Sequence, residues 1–248
     1  MWAGRLFLAP GMFLYLGAGA SAESHAHHAV QLIWARDGKL ELELPSGAVR
    51  VGAALLPANS EHALQAEGQI ALLLVEPHGG RGAALDQHAR ELLGADLRDR
   101  LLPLGFPAND LSRQDALEWC DGVLQALSPS RATGVTSRAT KRVVDYIETA
   151  LDGVPRLADA ARLVGMSPTR LTHQFSREVG VPFRRFVLWA RIKRAVEASR
   201  RGLNATEAAM EAGFSDGAHL SRTFKAMFGL APSMLLPAIE VIGDSWRV

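Results

Sequence analysis

His25 and His27 stand two residues apart, Gln31 follows four beyond His27, and His62 closes a later "PANSEH" stretch. Residues two apart share one face of a strand. Three imidazoles could hold a zinc ion with one position open. As neutral rings they could instead line the polar end of an effector pocket. A second group lies toward the other end of the chain: Thr169, Arg170, Thr172, His173 and Arg177, then Gly217, His219, Arg222 and Lys225. Both sets mix hydrogen-bonding and cationic side chains, as base edges and phosphates require. Arg222 is the best candidate for guanine, because a guanidinium forks onto O6 and N7.

Patterns for covalent or metal-assisted catalysis do not occur. There is no Walker loop, G-x-S-x-G elbow or H-E-x-x-H in the sequence. "GAGASA", from Gly17 to Ala22, fits a loose dinucleotide pattern, but no helix signal follows it. The single cysteine, Cys120, permits no intrachain disulfide and sits in the helix-like run "RQDALEWCDGVLQAL" as a buried, inert thiol. No catalytic residue and no enzyme activity are expected.

The elements that must position these residues show up as a repeat. "GMSPTRLTHQFSREVG", Gly165 to Gly180, is a loose copy of "GFSDGAHLSRTFKAMFG", Gly213 to Gly229. Each begins Gly, apolar, Ser, and each runs Leu, three residues, Phe, four residues, Gly. Ahead of them, Ala160-Ala161 corresponds to Ala208-Ala209, small residues that let two helices cross closely. The pattern is helix, glycine turn, helix, twice. Leu171 and Phe175, like Leu220 and Phe224, lie four apart and so bury one face. The other face carries the candidate readers. Between the copies, Pro182 to Arg201 is long enough for a helix of about 30 Å, close to the 34–36 Å of one DNA turn. Arg184, Arg185, Arg191, Lys193, Arg194, Arg200 and Arg201 make it a basic rod, with some of these cations expected to face phosphates.

The first 78 residues or so read as β: Leu40 to Leu44 alternates apolar and acidic, and Asp37-Gly38 and Pro45-Ser46-Gly47 supply turns. The opening "MWAGRLFLAPGMFLYLGAGASAES" reads either as a secretory signal or as two short strands around Pro10-Gly11. "RGAALDQHARELLG" and "SRQDALEWCDGVLQAL" read as helices that pack on the β part or pair two copies of the chain. "SPSRATGVTSRAT" has linker composition. The expected division is a β domain with its helices over 1–127, a linker over 128–140, a helical domain over 141–237 and a tail over 238–248. Charge divides the same way. Residues 1–130 carry 9 Lys/Arg against 15 Asp/Glu, and residues 131–248 carry 18 against 11. An acidic half joined to a basic half is expected when only one domain meets nucleic acid.

Over roughly residues 138–237 the sequence closely resembles the arabinose-regulator (AraC/XylS) family of bacterial transcription regulators. The run "AAMEAGFSDGAHLSRTFKAMFGLAPSMLL" is similar to that family's signature. The resemblance implies two helix-turn-helix units joined by a long helix and reading adjacent major grooves. It places base readers at Thr169, Thr172 and His173 in the first unit and at Gly217, His219 and Arg222 in the second. It also implies cytoplasmic action on double-stranded DNA, contact with RNA polymerase, a homodimer and a small-molecule effector. The histidine spacing of the N-terminal half resembles a cupin, a small β-barrel holding a metal on three His and a Glu. Here the Glu position holds Gln31, the expected Gly after Pro57 is Asn59, and the last Asn position is Ala66. The fold is therefore expected as α+β: a cupin-like barrel, then an all-α double helix-turn-helix. No cofactor is expected, and a metal at His25, His27 and His62 stays a lesser alternative. Two other readings are a metal-dependent cupin enzyme with an appended DNA-binding module, and a secreted β protein with a helical tail.

Overall fold

The computed structural model describes residues 1–9, 11–37, 40–78, 80–91, 97–128 and 136–243. Pro10 and Gly38 of the expected turns, residues 92–94 of the first expected helix, most of the linker and residues 244–248 lie outside these.

Nine strands fill the N-terminal part. They are β1 (Ala3–Ala9), β2 (Met12–Ala18), β3 (Ser21–His25), β4 (Val30–Ala35), β5 (Leu40–Leu44), β6 (Gly47–Val51), β7 (Ala53–Leu56), β8 (His62–Ala66) and β9 (Gln69–Val75). The opening apolar stretch is a β1–β2 hairpin, with Ala3 opposite Ala18 and Ala9 opposite Met12. A last strand, β10 (Ile239–Ile242), returns from the far end of the chain to run parallel to β1, in the range expected to be a tail. The larger sheet has the order β10-β1-β2-β9-β4-β7 and the smaller β3-β8-β5-β6. Among the described residues no ladder joins the two sheets, so the expected barrel is an open one.

The larger sheet is covered on both faces. Leu6, Leu8, Phe13, Tyr15, Ile33 and Leu74 point into a core shared with Leu42 and Leu64 of the smaller sheet. Phe7, Leu14, Val30, Leu32, Trp34 and Leu73 point the other way, toward Leu85, Cys120, Val123 and Leu127. This double cover explains why β4 is buried at every position, whereas β5 keeps its alternation. The outer layer comprises α1 (Gly80–Glu91), α2 (Leu97–Leu101) and α3 (Arg113–Leu127). Sequence periodicity had indicated two helices there; α2 is too short to carry a pattern. Burial pushes the Cys120 thiol up to about 12, which fits an inert group.

The C-terminal part is helical: α4 (Arg138–Thr149), α5 (Leu157–Leu163), α6 (Pro168–Val179), α7 (Phe183–Arg200), α8 (Ala205–Glu211), α9 (Gly217–Phe228) and α10 (Pro232–Leu235). Its core is continuous with that of the strands. The cause is α7. Ten of its 18 residues are buried, distributed all round the helix, because one side holds the two helix-turn-helix units and the other closes the space between the sheets. The basic-rod reading is therefore corrected. Lys193 is buried, Arg194 pairs with Asp152 and Arg201 with Glu211. Arg185 donates to the Ala26 carbonyl at 3.1 Å, and Arg191 packs beneath Gly213. Arg184 and Arg200 are exposed.

Candidate nucleic-acid interface and the sensor contacts behind it

The two units are built alike from local signals. Helix α5 ends on Gly165 and α8 on Gly213, with φ of 67° and 80°, a left-handed turn that favours glycine. Ser167 caps α6 by accepting from the Arg170 N–H, with Pro168 in the first turn. Asp216 caps α9 by accepting from the His219 N–H at 2.6 Å. Such caps are worth about 1 kcal/mol each. Asn204 and Glu207 form a reciprocal capping box on α8. Leu171, Phe175 and Val179 bury one face of α6, and Leu220, Thr223, Phe224 and Met227 one face of α9.

The opposite faces hold the expected readers. Thr169, Arg170, His173 and Arg177 are exposed on α6; Thr172 is half-buried, its hydroxyl donating back to the Pro168 carbonyl at 2.9 Å. Arg222 is exposed on α9. Gly217 opens the helix and has no side chain to read with. His219 stands edge-on to Phe214 and bonds Ser215, which fixes its ring.

Lys225 is different. Its Nζ sits 2.9 Å from the Glu23 carboxylate of β3. One turn on, the Glu23 N–H donates to the Gly229 carbonyl at 2.9 Å. Gly229 has φ 70°, and any Cβ there would run into the Glu23 backbone, so this docking requires glycine on both counts. The first unit is tied as well: Asn59 Nδ2 donates to the Gly180 carbonyl at 3.4 Å. Both helix-turn-helix units are thus latched to the strand domain at the C-terminal ends of their exposed helices.

Behind these latches lies a buried polar core that the sequence did not reveal. Lys193 Nζ is 2.7 Å from Glu76 and 2.8 Å from Glu148. Trp189 Nε1 donates to the same Glu76 oxygen at 2.7 Å. Burial alone would raise the Glu76 carboxyl; Lys193, His78 and the two hydrogen bonds outweigh it and hold it at about 2. For Lys193 burial works downward, and the two carboxylates win, raising its pKa. His28 and His78 stack with centroids 5.8 Å apart and meet Phe186 edge-on. Glu76 follows β9 and Lys193 lies on α7, so this cluster joins the two domains.

The four residues expected at an effector site do come together. His25, His27 and His62 have ring atoms within 4.8 Å of one another. Each sets Nδ1 against a backbone carbonyl: Glu23 at 2.7 Å, Ala29 at 3.0 Å and Ser60 at 3.0 Å. The Gln31 amide lies between His27 Nε2, at 2.7 Å, and His62 Nε2, at 3.0 Å. A neutral ring carries one proton, yet His27 faces two oxygens. Exchanging the amide atoms moves the same shortage to His62. Burial holds His27 at about 4 and His62 at about 3, so both rings are neutral at pH 7. Three convergent imidazoles suit zinc, and the carbonyl partners suit its outer shell. Against this, the Gln31 amide blocks His27 Nε2 with its oxygen and His62 Nε2 with its nitrogen, and it supplies no negative charge.

Residues 160–237 match the family model of a helix-turn-helix domain. Over nearly the whole chain the fold is similar to that of ToxT from Vibrio cholerae O395: 14% identity, 92% of this chain and 98% of that one covered, TM-score 0.57. It is equally similar to unsaturated-fatty-acid-bound wild-type ToxT from Vibrio cholerae strain SCE256: 15% identity, 91% and 94% covered, TM-score 0.57. The resemblance to the arabinose-regulator family holds for the C-terminal module, and the strand-rich half with two helix-turn-helix units is a known two-domain architecture. Among the described residues no helix is long and apolar enough to cross a membrane.

Proposed function

We propose that the chain is a sequence-specific DNA-binding transcription regulator. Its two helix-turn-helix units read adjacent major-groove segments, and its strand domain modulates them in response to a small molecule. The observation that carries this reading is the duplicated pair of capped helices, α6 and α9, each with one buried face and a polar, cationic outer face. Arg222 reads a base. Thr169, Arg170, Thr172, His173, His219 and Arg177 divide between bases and phosphates. Arg184 and Arg200, two exposed cations of α7, replace the buried Lys193 as its phosphate contacts. A cytoplasmic homodimer that touches RNA polymerase is part of the same reading, and sedimentation at several concentrations tests the dimer.

The effector site is a cavity of about 80 Å³ between the domains, lined from the strands by Phe13, Leu64 and Leu74 and from the helices by Trp189, Val196 and Phe228. A ligand there touches the sensor and the reader at once, which is the differential contact that coupling requires. ToxT from Vibrio cholerae strain SCE256, a protein of this fold, has been solved with an unsaturated fatty acid bound.

The latch sets a test. Lys225 is engaged by Glu23 and is not free for phosphate. Glu23→Ala should tighten DNA binding by about two- to fivefold, the range of an exposed ion pair. Fluorescence anisotropy with a selected duplex measures it; unchanged or weaker binding would remove Lys225 from the interface.

The histidine cluster is read as a pocket wall with no resident metal. After dialysis the purified protein should hold well under one transition metal per chain by elemental analysis. A retained stoichiometric metal would overturn that reading and favour the metal-dependent alternative.

A further inference from the structure

The polar end of the interdomain cavity carries an unusual charge count. Lys193 contributes one positive charge and is held by two carboxylates, Glu76 and Glu148. The Lys193 and Glu76 side chains are 6% and 3% exposed and that of Glu148 is 12% exposed, so water screens the cluster little. His78, whose Nε2 lies 3.3 Å from the second Glu76 oxygen, is kept neutral at pH 7 by burial, as are His25, His27 and His28. The cluster against which a ligand would place its head is therefore negative by one charge.

Most of the cavity's hydrogen-bonding capacity is already spent. The Tyr15 hydroxyl accepts from the Ala3 N–H at 3.1 Å and donates to the Ala18 carbonyl at 2.7 Å. Gln31 is taken by His27 and His62. Two groups stay open. His25 points Nδ1 at the Glu23 carbonyl, which leaves Nε2 as an acceptor. Lys193 has three N–H donors and uses two on its carboxylates. His25 and Lys193 both line this otherwise apolar cavity, and a hydroxyl, which both donates and accepts, can bond either group without bringing in charge. A carboxylate would have to displace Glu148 or Glu76 from Lys193, or enter beside them as a third buried negative charge.

We propose that the interdomain cavity takes a small neutral, largely apolar molecule bearing a hydroxyl group, and discriminates against carboxylates. This deepens the effector reading above and rests on it. It also separates this chain from the relative that carries a fatty acid. The cavity of about 80 Å³ is smaller than the roughly 150 Å³ cavity that admits benzene. An occupant of ring size therefore pushes the half-buried Phe228 and Leu236 at the cavity wall outward, toward separation of α9 from the strands.

The test uses two matched pairs on the full chain: phenol against benzoate, and hexanol against hexanoate, by titration calorimetry at pH 7. The neutral member of each pair should bind about tenfold more tightly or better. Glu148→Gln removes one of the two negative charges while keeping the shape. It should strengthen the binding of the carboxylates about tenfold and leave the alcohols within a factor of about two. Equal binding of acid and alcohol in the native chain, or no selective gain for acids in the variant, would overturn the charge inference while leaving the cavity as a ligand site. Binding of neither pair would overturn both. Sequence-specific DNA binding, measured separately, would survive either outcome.

Discussion

Lys193→Ala should destabilise the protein by about 3–5 kcal/mol, the cost of leaving a buried charge without its partner. Two carboxylates would face the hole: Glu76, fully buried, and Glu148. Against the roughly 5–15 kcal/mol that holds an ordinary domain together, that is a large share. The triple change Lys193→Met, Glu76→Gln, Glu148→Gln should recover much of the loss, since removing all the charges removes the penalty. Urea unfolding followed by tryptophan fluorescence reports directly, because Trp189 donates to Glu76. A cost under about 1 kcal/mol, the size of a surface pair, would mean that Lys193 is not buried between the domains in solution.

The buried histidines and Glu76 together fix the sign of the acid response. His27, His28 and His62 have folded pKa values lowered to about 4, 3 and 3. The unfolded chain takes up protons on them below about pH 6.5, while the folded chain does not. Stability therefore begins to fall as pH drops below 6.5. Glu76, depressed to about 2, adds its loss below about 4.5. Lys193, with its pKa raised, keeps its contribution throughout this range.

Arg222→Ala is the second large effect. It should cost about 1–3 kcal/mol on the preferred site, roughly 5- to 150-fold in affinity, and relax the choice at one base position. Arg184→Ala should act differently. A phosphate contact carries no sequence information, so all duplexes should weaken alike and the salt slope should shrink by about 0.9. Identical behaviour of the two variants would remove Arg222 as a base reader.

What was legible in the sequence was local. The glycine turns at Gly165 and Gly213, the Ser167 cap and the Leu171–Phe175 and Leu220–Phe224 spacings each depend on neighbours within one or two turns, and all appear in the structure. The alternation of β5 was equally readable. The latch was not. Glu76 and Lys193 are 117 residues apart, and nothing in either neighbourhood marks the other. A lysine among arginines reads as part of a solvated face; the all-round burial of α7 overrides that for Lys193. β10 was missed for a similar reason. Ile239 pairs with Gly4 across the whole chain, and four residues are too few for a periodic signal. At the histidine cluster the spacing singled out four residues that the fold brings together, but the carbonyls that orient the rings depend on backbone geometry.

The central claim is that α6 and α9 are two copies of one reading device. Selection of binding sites from random duplexes with the full chain, followed by a salt titration on the best site, tests it most directly. The account predicts a motif of two short elements about one helical turn apart, with affinity falling steeply as salt rises. A selection that enriches no sequence, both with the native chain and with the latch opened by Glu23→Ala, would contradict it.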